Sequence, residues 1–318
     1  MATASAVTNW YDNIGVITRF GSGKDLIDKS IDLIVNRANE IPVQGARLFR
    51  KVSSDTFVHK ESTIGNELSQ PVIQEDTDDV PYTTPAPGFS KSITAVVSRL
   101  GVAVTRSLTV VQREQKVPFM MSGLMDAAKR NMEYSFADAG LNNAFATNVG
   151  ADGMYLCDTL HPNEDTMTGT WDNLETAADL TPGGFSTARV NMRKRTNSLG
   201  EVMPMRPNLL ILSPDYEEVG WQIINSDYVA DSALRGKSWN KDSVELFVYD
   251  YKTDTESWFL ADTSKIASSG GLVCNEKEAP TIRPNPSPKA DVIFDEYLRM
   301  AYACAFTTCK ELQGNAGL

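Results

Sequence analysis

Between positions 70 and 91 the chain reads QPVIQEDTDDVPYTTPAPGFSK, and no packed core can be made from it. Its four prolines cannot donate to a helix or a sheet ladder. Glu75, Asp76, Asp78 and Asp79 add four carboxylates within five positions. As a connection inside a domain the stretch is unusually long. The sequence on either side reads as strand. Before it, Leu48, Phe49, Phe57 and Val58 sit among Ser, Thr and Lys. After it, Ile93, Ala95 and Val97 alternate on odd positions, then Val102, Val104, Leu108 and Val110 on even ones. The change of parity near Arg99 to Gly101 marks a bulge or bend, with Gly101 supplying a permissive backbone. The whole reads as a two-stranded projection with a polar, proline-rich tip. Such a ribbon is marginal alone in water. It has to lie on something, and that requirement points to a partner.

A helix follows, predicted from about Met120 to Thr147. Met121, Met125, Ala128, Met132, Phe136 and Ala139 recur at spacings of three and four, which places them on one stripe. Asp126, Lys129, Arg130, Glu133 and Asp138 fall on the opposite side. A helix of this length is about 40 Å long and suits a rod against which other layers lie.

The rest of the chain divides around these two features. Residues 1 to 20 lack periodicity but carry Trp10, Tyr11, Ile14 and Phe20, the composition of an arm that packs on a neighbour. A helix is predicted from Gly23 to Asn39, with Ile27, Ile31, Ile34 and Ala38 as its stripe and Pro42 closing it. Gly150-Ala151-Asp152-Gly153 breaks the chain after the long helix, and 154 to 180 reads as loop. Thr181-Pro182 starts a helix with proline at its first position, turning Phe185, Ala188 and Met192 inward, and Gly200 ends it. Leu209 to Leu212, between Pro207 and Pro214, is a buried strand, and Ser213-Pro214 opens another helix. Residues 226 to 242 are a polar loop. Val244 to Tyr251 and Ser257 to Ala261 look like a strand pair about a turn at Lys252 to Thr255. The four prolines from 280 to 288 imply an extended segment. Val292, Phe294, Leu298, Met300, Tyr302, Cys304 and Phe306 then share one parity, as in one long strand or two joined by a tight bend. Residues 313 to 318 are expected to fray.

Composition excludes several classes of function. A chain of 318 residues exceeds what one core usually holds, so two subdomains are expected. No apolar run approaches the ~20 residues that cross a bilayer, so no membrane partner is expected, and MATASAVTNWYDN does not read as a signal peptide. A net charge of −11 argues against a sequence-specific grip on nucleic acid. Cys157, Cys274, Cys304 and Cys309 lack paired spacing and read as buried free thiols. Cys157 and His161 have a C-x3-H spacing, but no second Cys/His pair completes a zinc set. Gly21-Ser22-Gly23-Lys24 is followed by Asp25, not Ser or Thr, and Thr18 stands where a phosphate loop needs glycine. No cofactor, metal or catalytic residue is therefore assigned. The one enzymatic alternative is a hydrolase centred on His161 with Asp158 or Asp165.

The order of elements (arm, helix, extended ribbon, long helix, α/β middle, proline-rich return, long terminal strand) resembles the major capsid proteins of tailed bacteriophages. That is the Hong Kong phage fold, which encapsulins also use. The likeness is strongest in Asp152-Gly153 with the following CDTLHP, and in TPGGFSTARVNMRKRTNSLGEVMPMRPNLLILSPDYEEVGWQIINSD, which are similar to the Mu-like head-protein branch. Gly88-Phe89-Ser90-Lys91 resembles the return strand of that family's extended loop.

The resemblance implies an α+β fold in four parts. Residues 1–44 would be the N-terminal arm and helix, and 45–115 the extended loop. Residues 116–150 with 275–318 would form a peripheral domain around the spine helix, and 151–274 an α/β axial domain. It implies a shell subunit that forms hexameric and pentameric capsomers around packaged double-stranded DNA, touching it non-specifically. The subunit would be made in a bacterial cytoplasm and reside in the virion. Expected partners are other copies of the chain, a separate scaffolding protein (only about 20 residues precede the first helix), a portal and decoration proteins. Contacts between copies are expected from Trp10, Tyr11, Glu75, Asp76, Asp78, Asp79, Tyr82, Phe89, Lys91, Tyr228, Arg235 and Trp239. Some members of the family cross-link a loop lysine to a neighbour; Lys60 or Lys91 would be that lysine, but no partner is fixed and no cross-link is assigned. An encapsulin-type compartment enclosing an enzyme cargo is the alternative shell.

Overall fold

The computed structural model describes residues 43–65, 71, 80, 82, 86–105, 110–163, 169–175, 179–227, 238–269, 271–286 and 292–317. The predicted arm and first helix, the acidic run Glu75 to Asp79, Asp165, Tyr228 and Arg235 lie outside the described residues. In chain order the strands are β1 (Arg50–Val52), β2 (Val58–Gly65), β3 (Ala86–Thr94), β4 (Val96–Thr105), β5 (His161–Pro162), β6 (Thr170–Trp171), β7 (Leu174–Glu175), β8 (Leu209–Leu212), β9 (Glu245–Val248), β10 (Trp258–Ala261), β11 (Leu272–Pro284), β12 (Val292–Phe306) and β13 (Leu312–Asn315). The α-helices are α1 (Val110–Ala139), α2 (Pro182–Lys194), α3 (Glu217–Asn225) and α4 (Thr263–Ser269). Mixed helix and strand in this order make an α+β chain.

The chain forms two compact units. One comprises 1–42, 97–131 and 278–301; the other comprises 43–96, 132–277 and 302–318. In the first, β4 runs beside β12, and a Cβ at Gly101 would sit 3.7 Å from the Glu296 carbonyl and from Tyr297 Cβ. The proline-rich turn between β11 and β12 is tied by side chains: Asn285 Nδ2 donates to Asp295 Oδ2 at 2.9 Å, and Glu278 pairs with Arg299 at 2.8 Å and with Arg283. The single parity read from 292 to 306 is realised as one strand of 15 residues.

Helix α1 differs from expectation at both ends. It starts at Val110, ten positions before the predicted start, and carries Pro118 inside it. The sequence reading assigned Val110 to a strand because the even-position alternation ran on through Leu108. The helix stops at Ala139, where Gly140 returns its N–H to the Phe136 carbonyl at 3.3 Å. Met121, Met125, Ala128 and Phe136 of the predicted stripe are buried, with Leu124 and Ala137 beside them, whereas Met132 and Ala139 are only part-buried. Glu133, expected on the solvated side, is buried too.

The second unit is built on a five-stranded sheet ordered β7-β13-β10-β8-β9. The apolar run of β8 takes an inner place because all four of its residues are buried on both faces. It pairs parallel with β9 (Leu209↔Glu245 to Leu212↔Val248) and antiparallel with β10. The predicted direct pairing of the β9 and β10 segments is therefore wrong: β8 lies between them. Helix α2 follows its signals. Thr181 Oγ1 accepts from the Gly184 N–H at 3.1 Å, and Phe185, Ala188 and Met192 enter a core with Leu210, Leu212, Ile223 and Trp258. It ends at Lys194 rather than Gly200, because the Arg195 side chain turns inward to the carbonyls of Lys310 and Leu312. The tail expected to fray is instead strand β13, paired with both β7 and β10 and wholly buried.

Candidate assembly surfaces

The ribbon exists, and it is shorter than the sequence suggested. Strands β2 and β3 pair antiparallel from Val58↔Thr94 to Gly65↔Ala86, with a bulge between Ser62 and Ile64. They form a sheet of two strands, whereas β4, predicted as the ribbon's second strand, belongs to the sheet with β12. The one-residue break at Ala95 separates these allegiances. Ala95 is buried and gives its N–H to the Phe57 carbonyl at 2.7 Å.

The ribbon's root is fixed by a residue far along the chain. Asn275, fully buried in β11, donates from Nδ2 to the carbonyls of Phe57 (3.2 Å) and Ile93 (3.1 Å), one on each arm. Beside it Glu61 accepts from Arg50 at 2.5 Å and lies 2.8 Å from His59 Nε2. At the root Phe57 and Val58 are both more than two-fifths exposed, and beyond it β2 alternates, with Lys60 and Ser62 exposed and His59, Glu61 and Thr63 part-buried. No motif in the sequence marked Asn275. A single asparagine among apolar strand residues was the only signal.

Of the residues expected to touch other copies, Tyr82, Phe89, Lys91 and Trp239 are among the described residues. Tyr82 is 90 % exposed and Trp239 is half exposed. The guanidinium of Arg189 lies 4.7 Å from the centre of the Trp239 ring. Phe89 is part-buried within β3. Lys91 is engaged inside its own chain: Nζ donates to the Val149 carbonyl at 2.5 Å and sits 5.0 Å over the Phe306 ring. Burial lowers the Lys91 ammonium from its ordinary range, and the Asp152 carboxylate pulls the other way. Lys60 lies in β2 opposite Ser92.

A second polar centre lies within the second unit, at the Glu133 end of α1. Glu133 accepts from the N–H groups of Gln44 (2.5 Å) and Gly45 (2.9 Å) and from the Tyr249 hydroxyl (2.7 Å). Gly45 is required here, since a Cβ on it would fall 2.6 Å from the Tyr249 oxygen and 2.8 Å from Phe136 Cβ.

His161, the residue on which a hydrolase reading depended, is locked in the interior. Its Nδ1 lies 2.6 Å from Asp152 Oδ2 and its Nε2 lies 3.1 Å from Asn173 Oδ1. The imidazole stacks on Trp171 at 4.2 Å, with the rings 13° from parallel. Asn173 is oriented in turn by donating to the carbonyls of Leu156 and Cys309. The His161 and Asp152 side chains are 1 % and 0 % exposed. Asp158 is spent on the backbone N–H groups of Thr159 and Leu160. Both ring nitrogens are occupied, and neither faces a serine, threonine or cysteine among the described residues. Burial raises the Cys157 and Cys309 thiols far above their ordinary range, which removes thiolate character. Among the described residues no three His, Cys, Asp or Glu side chains converge as metal ligands.

What these features amount to is a ribbon clamped at one end and a His161 centre whose polar groups are consumed by structure. The family model described as phage capsid protein matches residues 94–311. The chain belongs to the phage capsid protein family. As such it is a structural protein and a component of a virion capsid, with the fold of tailed-phage major capsid proteins.

Solved structures carry the same fold at low identity. The capsid of bacteriophage JBD30 is 14% identical, with a TM-score of 0.54 over 67% of this chain and 92% of that one. The capsid of the native GTA particle is 9% identical, with a TM-score of 0.55 over 86% and 89%. A virus-like particle from Pyrococcus furiosus is 9% identical, with a TM-score of 0.50 over 90% and 98%. No curated protein matches the chain.

Proposed function

We propose that this capsid protein is the self-assembling subunit of an icosahedral phage head, forming hexameric and pentameric capsomers that enclose packaged double-stranded DNA. The observation that carries this reading is the β2–β3 ribbon, which is tied down at Asn275 and paired only within itself among the described residues. A ribbon of that kind gains stability by lying on a neighbouring copy. The regional division expected from the sequence fits this role. Within 45–115, strands β2 and β3 would reach outwards; 116–150 and 275–318 would form the periphery, and 151–274 would supply the axial part.

The protein acts by contact and not by catalysis, since His161 is inaccessible and both of its nitrogens are occupied. A net charge of −11 suits a wall that encloses DNA without gripping it. Synthesis takes place in a bacterial cytoplasm, and a scaffolding protein, a portal and decoration proteins are the other partners. The fold is shared with the Pyrococcus virus-like particle, so fold does not choose between a phage head and a cargo-filled compartment. The match to the phage capsid family favours the head.

The test is electron microscopy of the purified protein, alone and co-expressed with neighbouring head genes. Closed shells are the expected product. Persistent monomers under both conditions would sink the reading, and shells that copurify with an enzyme cargo would move it to the compartment.

A further inference from the structure

The parallel pair β8–β9 carries opposite charge at its two ends. At the entry end, Arg189 and Arg193 of α2 with Arg206, Pro207 and Ser243 line an open cleft of about 420 Å³. Arg206 and Pro207 lead into β8, and Ser243 leads towards β9. Arg189 and Arg193 stand four apart on one helix face, a like-charge spacing that weakens a helix. Arg193 has a local justification in the last turn, where cations meet the helix dipole. Arg189 has none. Its Nη1 is buried without a partner among the described residues, and so is the Ser243 hydroxyl. Burial and the charge of Arg193 both push the Arg189 guanidinium below its ordinary range. Arg47, Arg50, Arg283 and Arg299 each pair with a carboxylate, while the three cleft arginines have no ion pair among the described residues. The side chains of this cleft offer positive charge and donors, so what fits it is negative and rich in acceptors.

At the exit end of β8 the chain passes through Pro214–Tyr216 into α3. Asp215, Glu217 and Glu218 stand exposed on that turn, and none has an ion pair among the described residues. The helix dipole favours acids there; Glu218 Oε1 accepts from Gln222 Nε2 at 3.1 Å, and the three exposed carboxylates still present oxygens to another group.

We propose that the arginine cleft of one copy receives the Asp215–Glu218 turn of a second copy. The proposal rests on the reading of the chain as a self-assembling subunit and names the charged groups that would join neighbours. Guanidinium forks match carboxylates in geometry as well as charge. Cleft and turn occupy opposite ends of one strand pair, so the contact is head to tail, and its repetition closes a ring when the rotation allows. Copies carrying a net charge of −11 repel each other, and an acidic chain can offset this only where it concentrates its unpaired cations. Every copy brings one cleft and one turn, so the stoichiometry is met without an added ligand.

Charge reversal of the full chain tests it, read by native mass spectrometry for rings and by sedimentation for shells. The cleft variant is Arg193→Glu with Arg206→Glu; the turn variant is Glu217→Arg with Glu218→Arg. All four side chains are exposed, so melting by circular dichroism should match the wild type. Each pair alone should cut assembled product about tenfold or more, and combining all four should restore most of it by re-pairing with reversed polarity. Assembly of the single-patch variants at the wild-type level overturns the proposal. So does a folded combined variant that fails to recover. If the cleft variant assembles normally but loses calorimetric binding of inorganic phosphate, the cleft belongs to a phosphate and the proposal falls. Wild-type rings that never close into shells would count against the head reading and leave this contact standing. Shells indifferent to the reversals would do the opposite, and a wild-type chain that stays monomeric sinks both.

Discussion

Tyr249 holds Glu133 at two points, its hydroxyl lying 2.7 Å from the carboxylate and 2.9 Å from the carbonyl of the same residue. The Glu133 carboxylate also takes two backbone N–H groups, so removing it strands those two donors while the Tyr249 hydroxyl keeps the backbone carbonyl. Glu133→Ala should cost about 3 kcal/mol and Tyr249→Phe about 1 kcal/mol in urea unfolding. The double variant should lose less than the sum, because the two share one bond. Strict additivity would show that Glu133 is held by the backbone alone.

Asn275 should govern the ribbon and little else. Asn275→Ala removes the donor shared by the Phe57 and Ile93 carbonyls, at a cost of about 1–2 kcal/mol. Amide exchange should quicken along Val58–Gly65 and Ala86–Thr94 while β8, β10 and β13 keep their protection. Uniform acceleration throughout the chain would mean that the asparagine supports the whole unit.

His161 should matter for stability. Replacing it with alanine leaves Asp152 buried beside an empty space and removes the stack on Trp171, a loss of about 2–4 kcal/mol by chemical denaturation. A His161→Ala protein with an unchanged unfolding midpoint would refute the structural role.

Lys252 supplies a pH signature. It is buried, donates to the Asp254 carbonyl, and burial pulls its ammonium down to about 8, against opposing attraction from Asp254 and Asp215. Below that value both folded and unfolded chains carry the proton, and the folded state bears the full cost of the buried charge. Between about 8 and the unfolded value near 10.5 only the unfolded chain holds it, so this group makes stability rise with pH. Wild type should therefore gain about 1–3 kcal/mol on Lys252→Met between pH 7.5 and 10. Parallel stability curves for the two proteins across that range would contradict the assignment.

Where local chemistry decides, the sequence reading held. The Thr-Pro start of α2, the doubly buried Leu209–Leu212 and the alternation of Val292–Phe306 are each written in side chains that act over a few positions. Where tertiary partners decide, it failed. LQGN has no apolar alternation, and β13 forms because Gly314 lets the strand approach Cys157 and because Arg195 reaches across to its carbonyl groups. Glu133 belongs by periodicity to the solvated side of α1, yet orphan donors from distant segments draw it inward. The β9 and β10 segments are adjacent along the chain, but the more apolar β8 displaces each from the other. The ribbon was legible as a projection because its composition forbids a core. Its root was not, since one asparagine carries no pattern. An interface is not legible in the same way, because it is defined by a second surface that the chain's own periodicity does not record.

The clamp at Asn275 also sets an order of events during synthesis. Its partners on the ribbon precede it by 218 and 182 positions, so both arms leave the ribosome well before the residue that fixes them exists. A nascent chain therefore presents the ribbon without a set direction, and the direction is imposed only once β11 has been made. Premature joining of half-made chains through the ribbon is disfavoured by timing alone, because the part that reaches outwards is the part secured late.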